Sequence, residues 1–186
     1  MTQNDDNKKQ LDLMWDDSPV NVTREVNLIW NIANKLRGPY RSDKYKDVII
    51  PMTIIRRIEC ALEETKDEVV AQFEKNPNYP EKAMYRISGY QFYNTSRFNL
   101  KKLVDDPEHI SSNFKNYIQG FSANIQDIVK SLEFEKQIEK MDLNDRLYTV
   151  VKAFSEIDLS PDTIDNVKMG YIFEELIRKF SENAEA

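Results

Sequence analysis

Apolar residues recur at three- and four-residue steps along most of this chain, the spacing that gathers them on one face of an α-helix. Val22, Val26, Ile29, Trp30, Ala33 and Leu36 predict a helix over Asn21 to Arg37. Gly38 and Pro39 end it, since glycine accepts the turn and proline cannot continue a helix. Ser42 or Asp43 is a candidate cap for the next helix, whose stripe is Tyr45, Val48, Ile49, Met52, Ile55, Ile58 and Leu62. Pro51 falls inside that stripe and predicts either a kink near Ile50 or two helices meeting there. The pattern fades by about Phe73.

Lys75 to Arg97 loses the helical period. It holds Pro77, Pro80, Gly89 and several tyrosines, and reads as a packed aromatic loop. A Ser-Gly step between aromatic residues also allows one short β-hairpin in residues 85–95. Helical spacing then returns. Asp106 and Pro107 open a helix carrying Ile110, Phe114, Tyr117 and Ile118 up to Gly120. Ile125 to Leu132 and Leu147 to Phe154 follow, and Ser160-Pro161 gives a start signal before Met169, Phe173, Leu176, Ile177 and Phe180. No alternation of strand and helix patterns appears. The expected fold is mainly α, an irregular multi-helix bundle of six to eight helices. Residues 21–186 form the helical domain. Residues 1–20 read as a polar, mobile arm that docks through Trp15, with Leu13 and Met14 beside it.

Composition removes many functions. With one cysteine, Cys60, and one histidine, His109, a His/Cys zinc site within the chain is not expected. Cys60 lies in a helical pattern and reads as a packed or surface thiol. A single thiol also fits a reducing compartment, and the cytoplasm is the expected location. Four glycines leave little material for phosphate-cradling loops. No apolar run approaches the roughly 18 residues of a membrane span, and the polar N-terminus lacks the apolar centre of a signal peptide. The sequence stops soon after a strong helix, which predicts that the natural chain continues beyond Ala186.

The charge is segregated. The chain carries −6 overall, yet Arg24 to Arg57 holds eight Lys/Arg against Glu25, Asp43 and Asp47. That segment is +5, and the remainder carries −11. Arg37, Arg41, Lys44 and Lys46 surround the expected turn and are the candidate DNA contacts, because duplex phosphates attract such clusters. The alternative is a solvated face, with Lys35 and Arg37 answering a helix C-terminus. Arg56 and Arg57 are candidate interface residues, or partners for Glu59, Glu63 or Glu64 on neighbouring turns.

Three segments in order carry a family resemblance: LIWNIANKLRG (Leu28 to Gly38), YKDVIIPMTIIRRIE (Tyr45 to Glu59) and MGYIFEELIRKFSE (Met169 to Glu182). Together they resemble the N-terminal helical domain of the modification subunit of type I restriction-modification systems. Those subunits are site-specific adenine-N6 DNA methyltransferases. The resemblance spans about Asn21 to Ala186, and Tyr93 to Leu103 resembles the family's linking segment. It implies a domain that packs on a Rossmann-like catalytic domain, expected after residue 186, and helps enclose double-stranded DNA. S-adenosylmethionine is the cofactor of the full-length subunit, which flips its target adenine out of the stack. The implied partners are a DNA-specificity subunit, a second modification subunit and, in restriction complexes, a nuclease-translocase subunit. The family's catalytic motif contains a Pro-Pro pair. All seven prolines here are isolated, so no catalytic or cofactor residue is carried over and the 186 residues alone are expected to be inactive. A purely structural interaction module is the competing reading.

Overall fold

The computed structural model describes residues 20–185. The expected arm and Trp15 lie outside them. Helix α1 (Thr23–Ala33) and a 3-10 turn (Asn34–Leu36) realise the first predicted stripe. Val26, Ile29, Ile32 and Leu36 are buried on its inner face. A second 3-10 turn (Ser42–Lys44) leads into α2 (Lys46–Leu62), the central helix. Val48, Ile49, Met52 and Ile55 have no exposed surface, and α2 touches α1, α8 (Phe134–Leu143), α9 (Leu147–Ser155) and α10 (Asn166–Glu185).

The helix runs through Pro51 without dividing, so two helices do not meet there. Proline removes one backbone donor, and its ring is buried in the core instead. Thr53 returns its hydroxyl to the Ile49 carbonyl at 2.6 Å. After α2 the chain makes a 3-10 turn (Glu63–Thr65) and continues as α3 (Lys66–Lys75).

The mainly α class holds, and the bundle divides more finely than six to eight helices. Part of the expected loop is a helix, α4 (Glu81–Ser88), ending at Gly89. No hairpin forms in residues 85–95. Among the described residues the only β pairings are isolated bridges, Arg37 with Tyr40 and Asn94 with Phe121. Short helix α5 (Leu100–Asp105) is capped by Asn99, whose Oδ1 accepts from the Lys102 N–H at 2.8 Å. Helices α6 (Ile110–Gln119) and α7 (Ala123–Ser131) match the predicted stripes.

Asp106 turns its carboxylate to the His109 ring rather than to a backbone N–H. Ser160-Pro161 forms a turn and not a helix start. The last helix begins at Asn166, where Asp165 Oδ1 accepts from the Lys168 N–H at 2.7 Å. Helix α10 then lies on α1. Trp30 meets Phe180 with ring centroids 4.9 Å apart, and Lys168 pairs with Glu25 at 2.7 Å.

Candidate nucleic-acid interface

The turn between α1 and α2 is built by one glycine and one tyrosine. Gly38 has φ +104°, a backbone state that side-chain-bearing residues rarely adopt. It lets the chain reverse so that Tyr40 can return to the core, where its N–H donates to Leu36 O at 3.1 Å. Tyr40 is buried, and its hydroxyl donates to Gln137 Oε1 on α8 at 2.8 Å. Burial, and then the Asp47 charge, push that hydroxyl's pKa up to about 12, so it stays protonated. The turn is thus pinned to the fold by a buried side chain, and its charged residues point outward.

Arg37, Arg41, Lys44 and Lys46 are all exposed. Arg41 meets Asp43 at 3.3 Å with its own side chain 84% exposed. Such an exposed pair contributes little and yields readily to another anion. Asp43 is therefore a partner for Arg41 rather than a helix cap. The structure also brings in two cations that are about 100 residues away in sequence. Lys140 Nζ lies 4.1 Å from the centre of the Tyr40 ring. The Arg146 guanidinium passes beside Gly38, 3.7 Å from where a Cβ would stand. No local sequence signal places them at this turn, because only the packing of α8 on Tyr40 does so.

Arg56 and Arg57 have a different environment. Arg56 Nε donates to Ile157 O at 2.7 Å, and its Nη1 donates to Glu59 Oε2 at 2.6 Å. Arg57 donates to Leu159 O, Ile164 O and Asn166 Oδ1 at 2.9, 2.6 and 3.0 Å. Both guanidinium groups hold the segment between α9 and α10. The expected Arg56–Glu59 pairing is present, whereas Arg57 serves carbonyls. A planar fork of donors suits that task.

Glu59 lies about 20 Å along α2 from Lys46, at roughly 1.5 Å per residue. Its Oε1 accepts the Leu100 N–H at 2.7 Å, and its charge lies beside the Tyr117 hydroxyl. Full burial pushes that hydroxyl's pKa well above its ordinary value. Nearby, burial lowers the Lys66 ammonium from 10.5 to about 8. Between those two values the unfolded chain binds one more proton at this lysine than the folded chain does. The Lys66 contribution therefore makes stability rise with pH across that window, by at most about 1.4 kcal/mol per pH unit. Tyr117 acts in the opposite direction above about pH 10, because only the unfolded tyrosine ionises there. Urea denaturation of the wild type and of Lys66→Met from pH 8 to 9.5 should show the wild type gaining on the variant. A constant difference would rule this out.

Among the described residues, the lone thiol and the lone imidazole form no catalytic grouping. Cys60 is buried, and burial pushes its thiol's pKa up, away from the thiolate. His109 is exposed and faces Asp106, while Ser112 gives its hydroxyl to the His109 carbonyl rather than to the ring. No helix of the described residues is long and apolar enough to cross a membrane.

A family model described as the HsdM N-terminal domain matches residues 26–154, more than half of the chain. The match contains the turn, α2, α8 and Arg146. No curated protein and no solved structure matches the chain.

Proposed function

This chain belongs to the HsdM N-terminal domain family, the N-terminal domain of the type I restriction-modification modification subunit, and on that premise we propose that its basic turn holds duplex DNA for the subunit's methyltransferase. The observation that carries this reading is the rigid, outward-facing turn bearing Arg37, Arg41, Lys44 and Lys46, with Lys140 and Arg146 beside it. A duplex presents closely spaced phosphates, and each one neutralised releases condensed counterions. The role is sequence-independent, because phosphate contacts position a protein without reading bases. In this reading, adenine-N6 methyl transfer from S-adenosylmethionine belongs to a catalytic domain elsewhere in the subunit, and sequence choice belongs to the specificity subunit.

The test uses the complete methyltransferase assembled with its specificity subunit. Arg37→Gln, Arg41→Gln and Lys44→Gln together should lower the slope of log affinity against log salt by about 3, near 0.9 per lost phosphate contact. Methylation of the free target should weaken most at the higher salt concentrations. An unchanged slope would remove the cluster from the DNA.

One observation favours assembly as a second role. Helix α10 leaves Val167, Tyr171 and Ile177 at 65%, 44% and 55% exposure. Val167 and Tyr171 are one helical turn apart, so they share a face. Such apolar surface suits a protein partner, whether the catalytic domain, the second modification subunit, the specificity subunit or the nuclease-translocase subunit. If the salt slope does not change, this assembly role becomes the whole function of the domain.

A further inference from the structure

Lys66 opens α3 and points its ammonium into a cavity of about 370 Å³ between α2, α5 and α6. Its Nζ donates to Asn94 Oδ1 at 2.8 Å and lies 5.3 Å from the centre of the Tyr117 ring. An ammonium has three donors, and among the described residues no carboxylate comes within ion-pair distance of this one. Glu59, the acid inside the cavity, already accepts from Arg56 and from the Leu100 N–H. Glu63 and Asp67 are exposed at the rim. Lys101 and Lys102 face the same cavity from α5; at longer range Glu59 favours the Lys66 charge, the Lys102 charge opposes it and Asp67 favours it, yet burial still outweighs them.

A partly buried cation with no carboxylate in contact is costly, and a like charge nearby adds to the cost. Both costs fall if an anion enters between the lysines. The cavity volume is in the range of small-ligand sites.

We propose that this pocket binds a small oxyanion, whose phosphate or carboxylate oxygens accept the two remaining Lys66 donors and one donor from Lys102. Asn94 keeps its bond to Lys66 and fixes the direction of the ammonium, as Asn94 is itself held by Tyr117 O at 2.9 Å and by the Ser96 N–H at 2.8 Å. The site is about 20 Å along α2 from the basic turn, so it stands independently of the DNA reading.

The experiment follows the Lys66 side-chain resonances of isotopically labelled protein during titration with inorganic phosphate. Sodium chloride at matched ionic strength is the control, with acetate and a short duplex in parallel series. The expected result is a saturable shift with phosphate or acetate and none with chloride. Read from the Asn94 side-chain amide instead, Lys66→Met should abolish saturable binding. Lys102→Gln, an exposed position, should weaken it at least tenfold while the protein stays folded, as its urea transition shows. A non-saturating shift, an equal response to chloride, or full affinity in Lys102→Gln would overturn the proposal. A shift with the duplex and none with phosphate or acetate would also overturn it.

Discussion

Glu59→Ala is expected to lower the unfolding free energy by about 3–5 kcal/mol, the usual cost of breaking a buried ion pair by removing one partner. Glu59 and Arg56 have side chains only 11% and 17% exposed, and they meet at 2.6 Å. Alanine would leave the Arg56 guanidinium half-satisfied, with Ile157 O as its remaining acceptor. It would also orphan the Leu100 N–H, which opens α5 beneath a fully buried Leu100 side chain. Buried donors left without acceptors each cost about 1–3 kcal/mol. Glu59→Gln keeps an acceptor and the side-chain volume, so it should cost less than half as much. Arg56→Met combined with Glu59→Ala should cost less than the two single changes added together, since both remove the same contact. Urea denaturation of the wild type and the four variants checks this. Additive costs would show that the pair is not coupled, and a loss below about 1 kcal/mol for Glu59→Ala would show that solvent reaches it.

The sequence carried most of the fold because the core is periodic. The stripes of α1, α2, α6, α7, α9 and α10 were legible, since long helices repeat their apolar spacing often enough to stand out. What was not legible depended on contacts from elsewhere. Helix α4 has only eight residues between two loops, and its amphipathic pattern is too brief to outweigh the flanking prolines and glycine. Phe134, Ile138 and Met141 of α8 do show i, i+4, i+7 spacing, yet polar residues dominate between them. Ser160-Pro161 carried a valid start signal, but Arg57 fixes the following segment by its carbonyls and delays the helix to Asn166.

The candidate site was legible in part for the same reason. The cations at Arg37, Arg41, Lys44 and Lys46 are neighbours in sequence, so their clustering at a Gly-Pro turn could be read directly. Lys140 and Arg146 join them only through α8. The polar centre at Glu59, Lys66, Asn94 and Tyr117 is assembled from α2, α3, a loop and α6, and each residue alone looks ordinary. Buried polar groups of this kind have no period in the sequence.

Gly120→Ala is the other change expected to cost much, about 3 kcal/mol, at the upper end for forcing added atoms into a packed interior. The sequence marks Gly120 only as a helix stop. In the structure its φ is −76°, a value any residue accepts, so the requirement is for space. An added Cβ would stand 2.6 Å from Ser96 N, 2.7 Å from Ser96 Cβ and 2.8 Å from Asn94 Oδ1. The first of these is backbone and cannot swing aside. The approach is fixed by paired bonds, Thr95 N–H to Gly120 O at 2.8 Å and Ser122 N–H to Tyr93 O at 2.9 Å. Moving that strand of chain would displace Asn94 and with it the Lys66 ammonium. Gly89→Ala is the matched control: its φ is +79° and nothing lies within 4 Å, so only backbone strain of about 1 kcal/mol applies. Urea midpoints should therefore fall further for Gly120→Ala than for Gly89→Ala, and the Lys66 resonances should move only in the former. If Gly89→Ala is the more costly, conformational freedom rather than close approach is what both glycines provide.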